Sequence, residues 1–168
     1  MPRKLKRQGI SQQVLYEPIR AWLLERAFRV LITGDGTTFV IPVRTLVPMP
    51  YKIPDLVAVR EDNRVAIVEV ETDQNQFFHA LGRCMLWKST ATFVYLAYPS
   101  GVVSLPPLLD RLGVGMLEVN ATSGSVAEVV RLPLETSELS RVWELHPLDF
   151  NQESELAKQI KAIPENPG

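Results

Sequence analysis

A chain of 168 residues, 46% hydrophobic and 22% charged, is long enough for one folded domain and too short for two of ordinary size. Its lone cysteine, Cys84, excludes an internal disulfide, and with only His79 and His146 beside it a zinc site of ordinary composition is excluded too. No apolar run approaches the ~20 residues that span a bilayer, and the basic start Met1–Gln8 is followed by no apolar segment, so a reduced, cytoplasmic protein is expected.

The net charge of −1 is unevenly spread: residues 1–30 hold seven basic residues against two acidic ones, a balance of +5, which leaves −6 for the remainder. Residues 1–10 read as a basic arm able to steer a polyanion, with a solubilising tail as the alternative. Leu15, Ile19, Trp22, Leu23 and Phe28 then recur at helical intervals, and Pro18, which suits a first turn, predicts a helix beginning close to Glu17. Val30–Thr33 and Thr38–Val43 are β-prone, separated by Gly34-Asp35-Gly36. Pro42, Pro48, Pro50 and Pro54 then interrupt the chain.

Residues 55–60 and 64–71 are rich in Val and Ile and read as two strands of a hairpin. The link Glu61-Asp62-Asn63 ends in a residue that tolerates the left-handed conformation such a loop needs. With that loop, Val59 faces Val65, Val57 faces Ile67 and Asp55 faces Glu69. A helix is expected over Asn75–Ser89, with Phe77, Phe78 and Trp87 in the core. A buried strand follows over Ala91–Tyr98, then a helix at Pro106–Leu112 and strands at Gly115–Val119 and Val126–Leu132. Residues 11–150 thus form one α/β domain, a mixed sheet between helices. Residues 151–168 read as a polar, flexible tail or frayed helix.

The hairpin register carries the functional signal. Opposed residues on a sheet share a face at roughly 4.5–5.5 Å between Cβ atoms, and Glu71, two beyond Glu69, stays on that face. Asp55, Glu69 and Glu71 are therefore expected to converge at one end of a hairpin whose other positions are apolar. Carboxylates crowded there repel one another and lose hydration unless a cation, a proton or a hydrogen-bond donor compensates. An oxygen-only set suits Mg²⁺ or Mn²⁺. The alternative is a solvated pair of glutamates with Asp55 in a turn.

Pro54-Asp55 on one strand, Glu69-Val70-Glu71 on the next, the early helix with Glu17, and the helix and strand ending Tyr98-Pro99 together resemble the PD-(D/E)XK nuclease superfamily, over residues 12–132. The resemblance implies a restriction-endonuclease-like fold, a mixed β-sheet core flanked by helices, and a Mg²⁺-dependent endonuclease acting on DNA. By it, Asp55 and Glu69 match the metal ligands, and Glu17 matches a further helix carboxylate. Glu71 stands where the superfamily carries lysine, a place from which it could ligate a second metal or take a proton from water. Lysine can migrate to the following helix in such proteins, which makes Lys88 a candidate, with Lys52 a weaker one and a surface role the alternative for both. Gln74 and Gln76 resemble polar residues that face the site in relatives. A homodimer cutting both strands is compatible with the resemblance. The departure at Glu71 supports another reading, a non-catalytic nuclease-fold protein that binds nucleic acid or serves as an assembly module.

Overall fold

The computed structural model describes residues 9–34, 53–102, 105–134 and 150–163. Thr38–Val43, Lys52 and the charged residues of the basic arm lie outside them.

The Val- and Ile-rich segments form the sheet. Strands β1 (Arg29–Ile32), β2 (Leu56–Val59), β3 (Val65–Val70), β4 (Phe93–Pro99), β5 (Gly115–Val119) and β6 (Val126–Val130) lie side by side in sequence order. β1, β2 and β3 are antiparallel neighbours, β3, β4 and β5 run parallel, and β6 returns antiparallel to β5. The two parallel connections are made by helices α2 (Phe77–Trp87) and α3 (Pro106–Leu112), as parallel pairing requires. Helix α1 (Gln13–Leu24) covers one face through Leu15, Ile19 and Leu23, which pack with Ala66, Val68 and Val70. Helices α2, α3 and α4 (Phe150–Ala162) share the other face with Val57, Ile67, Leu96 and Tyr98. Every residue of β2, β3 and β4 is buried, so the expected α/β fold, a mixed sheet flanked by helices, is the one observed.

The hairpin adopts the expected register, with Val59 opposite Val65 and Val57 opposite Ile67. Asn63 takes φ +63°, the left-handed conformation foreseen for the end of its loop, and the Arg60 N–H donates to the Arg64 carbonyl at 3.0 Å.

Three expectations change. Helix α1 begins at Gln13, and Pro18 lies inside it. The hydrogen bond Pro18 forgoes would have gone to the carbonyl of Val14, an exposed residue, where water can replace it. Phe78 is not in the core: it is 71% exposed, while Phe77 beside it is buried.

The segment read as a polar tail or frayed helix contributes a helix, α4, packed on the sheet, whose Leu156, Ala157 and Ile160 are wholly buried. Its Glu153 is buried as well. One carboxylate oxygen accepts from Arg64 Nη1 at 2.9 Å, and the other from the Thr92 N–H at 2.5 Å, the Thr92 hydroxyl at 2.6 Å and the Val65 N–H at 3.3 Å. The helix end is held by Arg29, which donates to the carbonyls of Lys161 and Ile163. Lys161 in turn reaches the turn residue Asn63 at 2.6 Å. Among the described residues no helix is long and apolar enough to cross a membrane.

Breaking a buried, hydrogen-bonded ion pair from one side leaves the other charge stranded, at a cost of about 3 kcal/mol. Glu153→Ala is expected to lower the urea unfolding free energy by about that amount, with Leu156 and Ile160 becoming the first core residues accessible to hydrogen exchange.

Candidate functional site

Asp55, Glu69 and Glu71 stand at one end of the β2–β3 hairpin, the end at which parallel strands β3 and β4 present their carboxyl termini. Glu69 and Glu71 are only 2% and 6% exposed. The alternation that places Val65 and Ile67 toward α2 carries both glutamates to that same side.

Asp55 is fixed from the α1 side. Its carbonyl accepts the N–H groups of Thr33 and Gly34, each at 2.9 Å, which tie it to the end of β1. In the side chain, Oδ1 accepts from the Tyr16 hydroxyl at 2.9 Å and Oδ2 from the Val70 N–H at 2.7 Å. Gly34 makes this closeness possible. A Cβ there would fall 2.5 Å from the Tyr16 hydroxyl and 2.6 Å from Asp55 Oδ1.

Glu69 is fixed from the α2 side: Oε1 accepts from the Trp87 indole N–H at 2.6 Å and Oε2 from Arg83 Nε at 3.0 Å. Glu71 Oε1 accepts the N–H groups of Thr72 and Asp73, each at 3.0 Å. Its other oxygen lies 3.7 Å from Arg83 Nη2. Arg83 therefore spans the two glutamates. Arg83 and Trp87 are four apart on α2, so both point at the same spot on the sheet.

Two buried carboxylates thus meet one guanidinium, with the half-buried Asp55 close by. Fully ionised, the three carry three negative charges, and among the described residues Arg83 is the one cation paired with them. Burial pushes the Glu69 carboxyl up to about 7, and the charge of Asp55 adds to the effect, while Trp87 and Arg83 pull the other way. Asp55 is also raised by burial, opposed by the Val70 N–H, the Tyr16 hydroxyl and Arg83. Burial alone would lower Arg83, but Glu69, Asp55 and Glu71 outweigh it and hold the guanidinium more firmly protonated.

The fold brings Glu69 and Glu71 together around Arg83, with Asp55 near enough for its charge to act on Glu69. It does not line the three up as a ready chelate: among the described residues no three acidic, histidine or cysteine side chains stand as a metal-holding set. The oxygens of Glu69 face Trp87 and Arg83, and those of Asp55 face Tyr16 and Val70. Glu17 is not brought to the cluster. Its side chain is 72% exposed and faces Arg20 at 3.6 Å, while its neighbour Tyr16 is the residue turned inward. Lys88 goes elsewhere too. Its ammonium, pushed down to about 8 by burial, donates to the carbonyls of Leu112 and Gly113 at 2.9 and 2.8 Å and caps α3. Gln74 and Gln76 sit exposed on a single 3₁₀ turn before α2.

Arg83, Trp87 and Tyr16 are the site residues that sequence reasoning missed. Arg83 had a signal, being the one Lys or Arg within α2 and flanking the apolar stripe Phe77, Ala80, Cys84 and Trp87.

Gly34→Ala forces Tyr16 and Asp55 apart and is expected to lower stability by about 2 kcal/mol in urea unfolding. Glu69 binds its proton more tightly folded, at about 7, than at its ordinary value of 4.5. Its contribution to stability is therefore complete below about pH 4.5 and is lost as pH rises through about 7, a fall of order 3 kcal/mol. The difference between wild type and Glu69→Gln, measured by chemical unfolding from pH 4 to 8, should show that slope; a flat difference contradicts it.

No protein-family model matches the chain, and no curated protein is significantly similar to it. Among solved structures, a protein of unknown function from Silicibacter pomeroyi superposes with a TM-score of 0.52 at 15% identity, over 96% of this chain and 97% of its own. An XisH family protein from Nostoc punctiforme aligns over 68% of this chain and 96% of its own, with a TM-score of 0.45 at 17% identity. An FdxN element excision controlling factor protein from Anabaena variabilis does so over 71% and 99%, with 0.47 at 17%. The likeness to the Silicibacter pomeroyi protein is one of fold: the mixed sheet and its flanking helices are shared.

Proposed function

We propose that the protein is a divalent-cation-dependent endonuclease that hydrolyses phosphodiester bonds of DNA at the Asp55, Glu69 and Glu71 cluster. The observation that carries this reading is the buried excess of negative charge. Among the described residues Arg83 is the one cation paired with the three carboxylates, and burial raises Glu69 and Asp55 as it does acids gathered for a cation. The position supports it as well, since ligands of open α/β sheets gather outside the carboxyl ends of the strands.

The donor set fits a hard cation, Mg²⁺ or Mn²⁺, being all oxygen and net negative. Asp55, Glu69 and Glu71 would hold it, with Arg83 yielding its place at Glu69. A bound divalent cation supplies polarisation of a phosphoryl oxygen and a lowered pKa for the attacking water. The chain's own residues do the rest. Val70 and Tyr16 keep Asp55 oriented, and Glu71, whose Oε1 is pinned by two backbone N–H groups, directs its other oxygen inward as the base for the water proton. Arg83, released from Glu69, becomes the cation facing the phosphate, a role Lys88 cannot take from its cap on α3. Lys and Arg of the basic arm, residues 1–10, would hold the duplex by its backbone, and a second copy of the chain would cut the opposite strand.

One observation favours a second reading. Arg83 already pairs with both glutamates, so a non-catalytic relative that binds nucleic acid or serves in assembly would keep this arrangement permanently.

Supercoiled plasmid with Mg²⁺ or Mn²⁺ separates the two. Nicking by the wild type, reduced about 100-fold or more in Asp55→Ala, is the expected result. Calorimetry should show Mn²⁺ binding that Glu69→Gln weakens at least ~10-fold. A wild type that retains plasmid through a salt-sensitive interaction, without nicking and without Mn²⁺ uptake, establishes the second reading instead.

A further inference from the structure

Three buried tyrosines stand among the described residues, and two of them have hydroxyl partners: Tyr16 donates to Asp55 at 2.9 Å and Tyr95 to Glu128 at 3.4 Å. Tyr98 has none. Its ring is wholly buried, and its hydroxyl is enclosed without a hydrogen-bond partner. A stranded buried hydroxyl is destabilising, and native structures hold few of them. Phenylalanine would fill the same space without that penalty.

The location gives the hydroxyl a purpose. Tyr98 is the penultimate residue of β4. The Glu71 N–H donates to the Ala97 carbonyl at 3.0 Å and Val70 is opposite Ala97, which puts Tyr98 beside Glu71. Leu96 and Tyr98 share the α2 side of the sheet with Ile67, the side that carries Glu69 and Glu71. The ring lies against Phe77 of α2 at 6.2 Å between centroids, with planes 22° apart. Glu71 and Arg83 are both near enough for their charges to act on its oxygen.

We infer that the Tyr98 hydroxyl and the Arg83 guanidinium form a donor pair that binds the non-bridging oxygens of a phosphate group presented to the carboxylate cluster. The inference rests on the phosphodiester reading above and names a phosphate-binding residue for it. A tyrosine hydroxyl at neutral pH is a donor, and guanidinium has five N–H donors in a planar fork suited to phosphate. Arg83 commits Nε to Glu69, while Nη2 stands 3.7 Å from Glu71, beyond hydrogen-bond length. Neither group suits a cation. Both suit an oxyanion, which a divalent cation, if Glu69 and Glu71 held one, would attract to the same place. In the resting protein the hydroxyl is enclosed and Arg83 is bonded to Glu69, so binding requires Arg83 to leave Glu69 as the ligand enters.

Tyr98→Phe tests this without requiring turnover. With Mn²⁺ present, thymidine 5′-monophosphate and inorganic phosphate are titrated calorimetrically into wild type and variant, and the ligand-free proteins are melted in parallel. The expected result is a ligand-free melting temperature equal to or above wild type, Mn²⁺ affinity within twofold, and affinity for the nucleotide reduced ~10-fold or more. A lower ligand-free melting temperature would mean that the hydroxyl has a partner within the fold and overturns the inference. So does a variant that binds the nucleotide as tightly as wild type, or a wild type that binds neither phosphate probe. Loss of nucleotide binding in Tyr98→Phe, with a wild type that never nicks plasmid, upholds the inference and removes the nuclease reading. Nicking by a wild type whose nucleotide affinity the substitution leaves intact does the reverse.

Discussion

The arrangement of Arg83 between Glu69 and Glu71 is the constraint around which this molecule is built. Strand β3 lies under helices on both faces, so any charge it carries loses water on folding. Two glutamates near the end of such a strand are tolerable only if donors arrive with the layer that buries them. Helix α2 brings those donors itself, because Arg83 and Trp87, one turn apart, reach Glu69 together. Docking of α2 and compensation of the glutamates are consequently one event. An apolar helix with the same stripe would bury the same area and leave two carboxylates stranded.

Asp55 belongs to the other layer. Tyr16 from α1, Gly34 at the end of β1 and the Val70 N–H on β3 hold its carboxylate and backbone. The cluster is therefore assembled from both sides of the sheet, with one acid locked by α1 and one by α2. Glu71, anchored through a single oxygen by Thr72 and Asp73, has the most freedom of the three. That division explains why the acids act on one another electrostatically without forming a closed chelate. Two are held by donors native to their own layers, while Arg83 is bonded to Glu69 and merely near Glu71.

Much of this was legible in the sequence where local rules govern. The hairpin register followed from a period of two and a three-residue loop, and Asn63 supplied the left-handed residue the loop needs. The strand at Gly115–Val119 and the helix at Pro106–Leu112 came out at the expected bounds because Gly113, with φ +66°, marks the junction between them. The features that were not legible depend on pairings distant in sequence or on rotation about a helix axis. The resemblance pointed to Glu17 as the helix carboxylate, but neighbouring residues on a helix are turned about 100° from each other, and Tyr16 is the one that faces Asp55. Lys88 was attractive by residue type, yet the carbonyls ending α3, twenty-four and twenty-five residues further on, claim its ammonium. For the C-terminal segment composition left a helix and a flexible tail both open. Its polar residues outnumber the apolar ones, but Leu156, Ala157 and Ile160 fall on one face, and Glu153 counts as charge in a tally while serving as an internal acceptor in the fold.

Glu153 also provides the control for interpreting Glu69. Both are buried glutamates on the α2 side of the sheet, and each accepts from one guanidinium and from neutral donors. Around Glu153, at the amino ends of β3 and β4, one negative charge meets Arg64, the two donors of Thr92 and the Val65 N–H, and the balance closes. At the carboxyl ends, Glu69 and Glu71 share Arg83 with a third carboxylate, Asp55, close by, and the Tyr98 hydroxyl has no hydrogen-bond partner. Burial is common to both ends, so burial alone does not mark a functional site. The difference lies in an excess of acceptors with negative charge beside an unused donor, a combination that folding by itself does not reward and that a cation together with an oxyanion would complete.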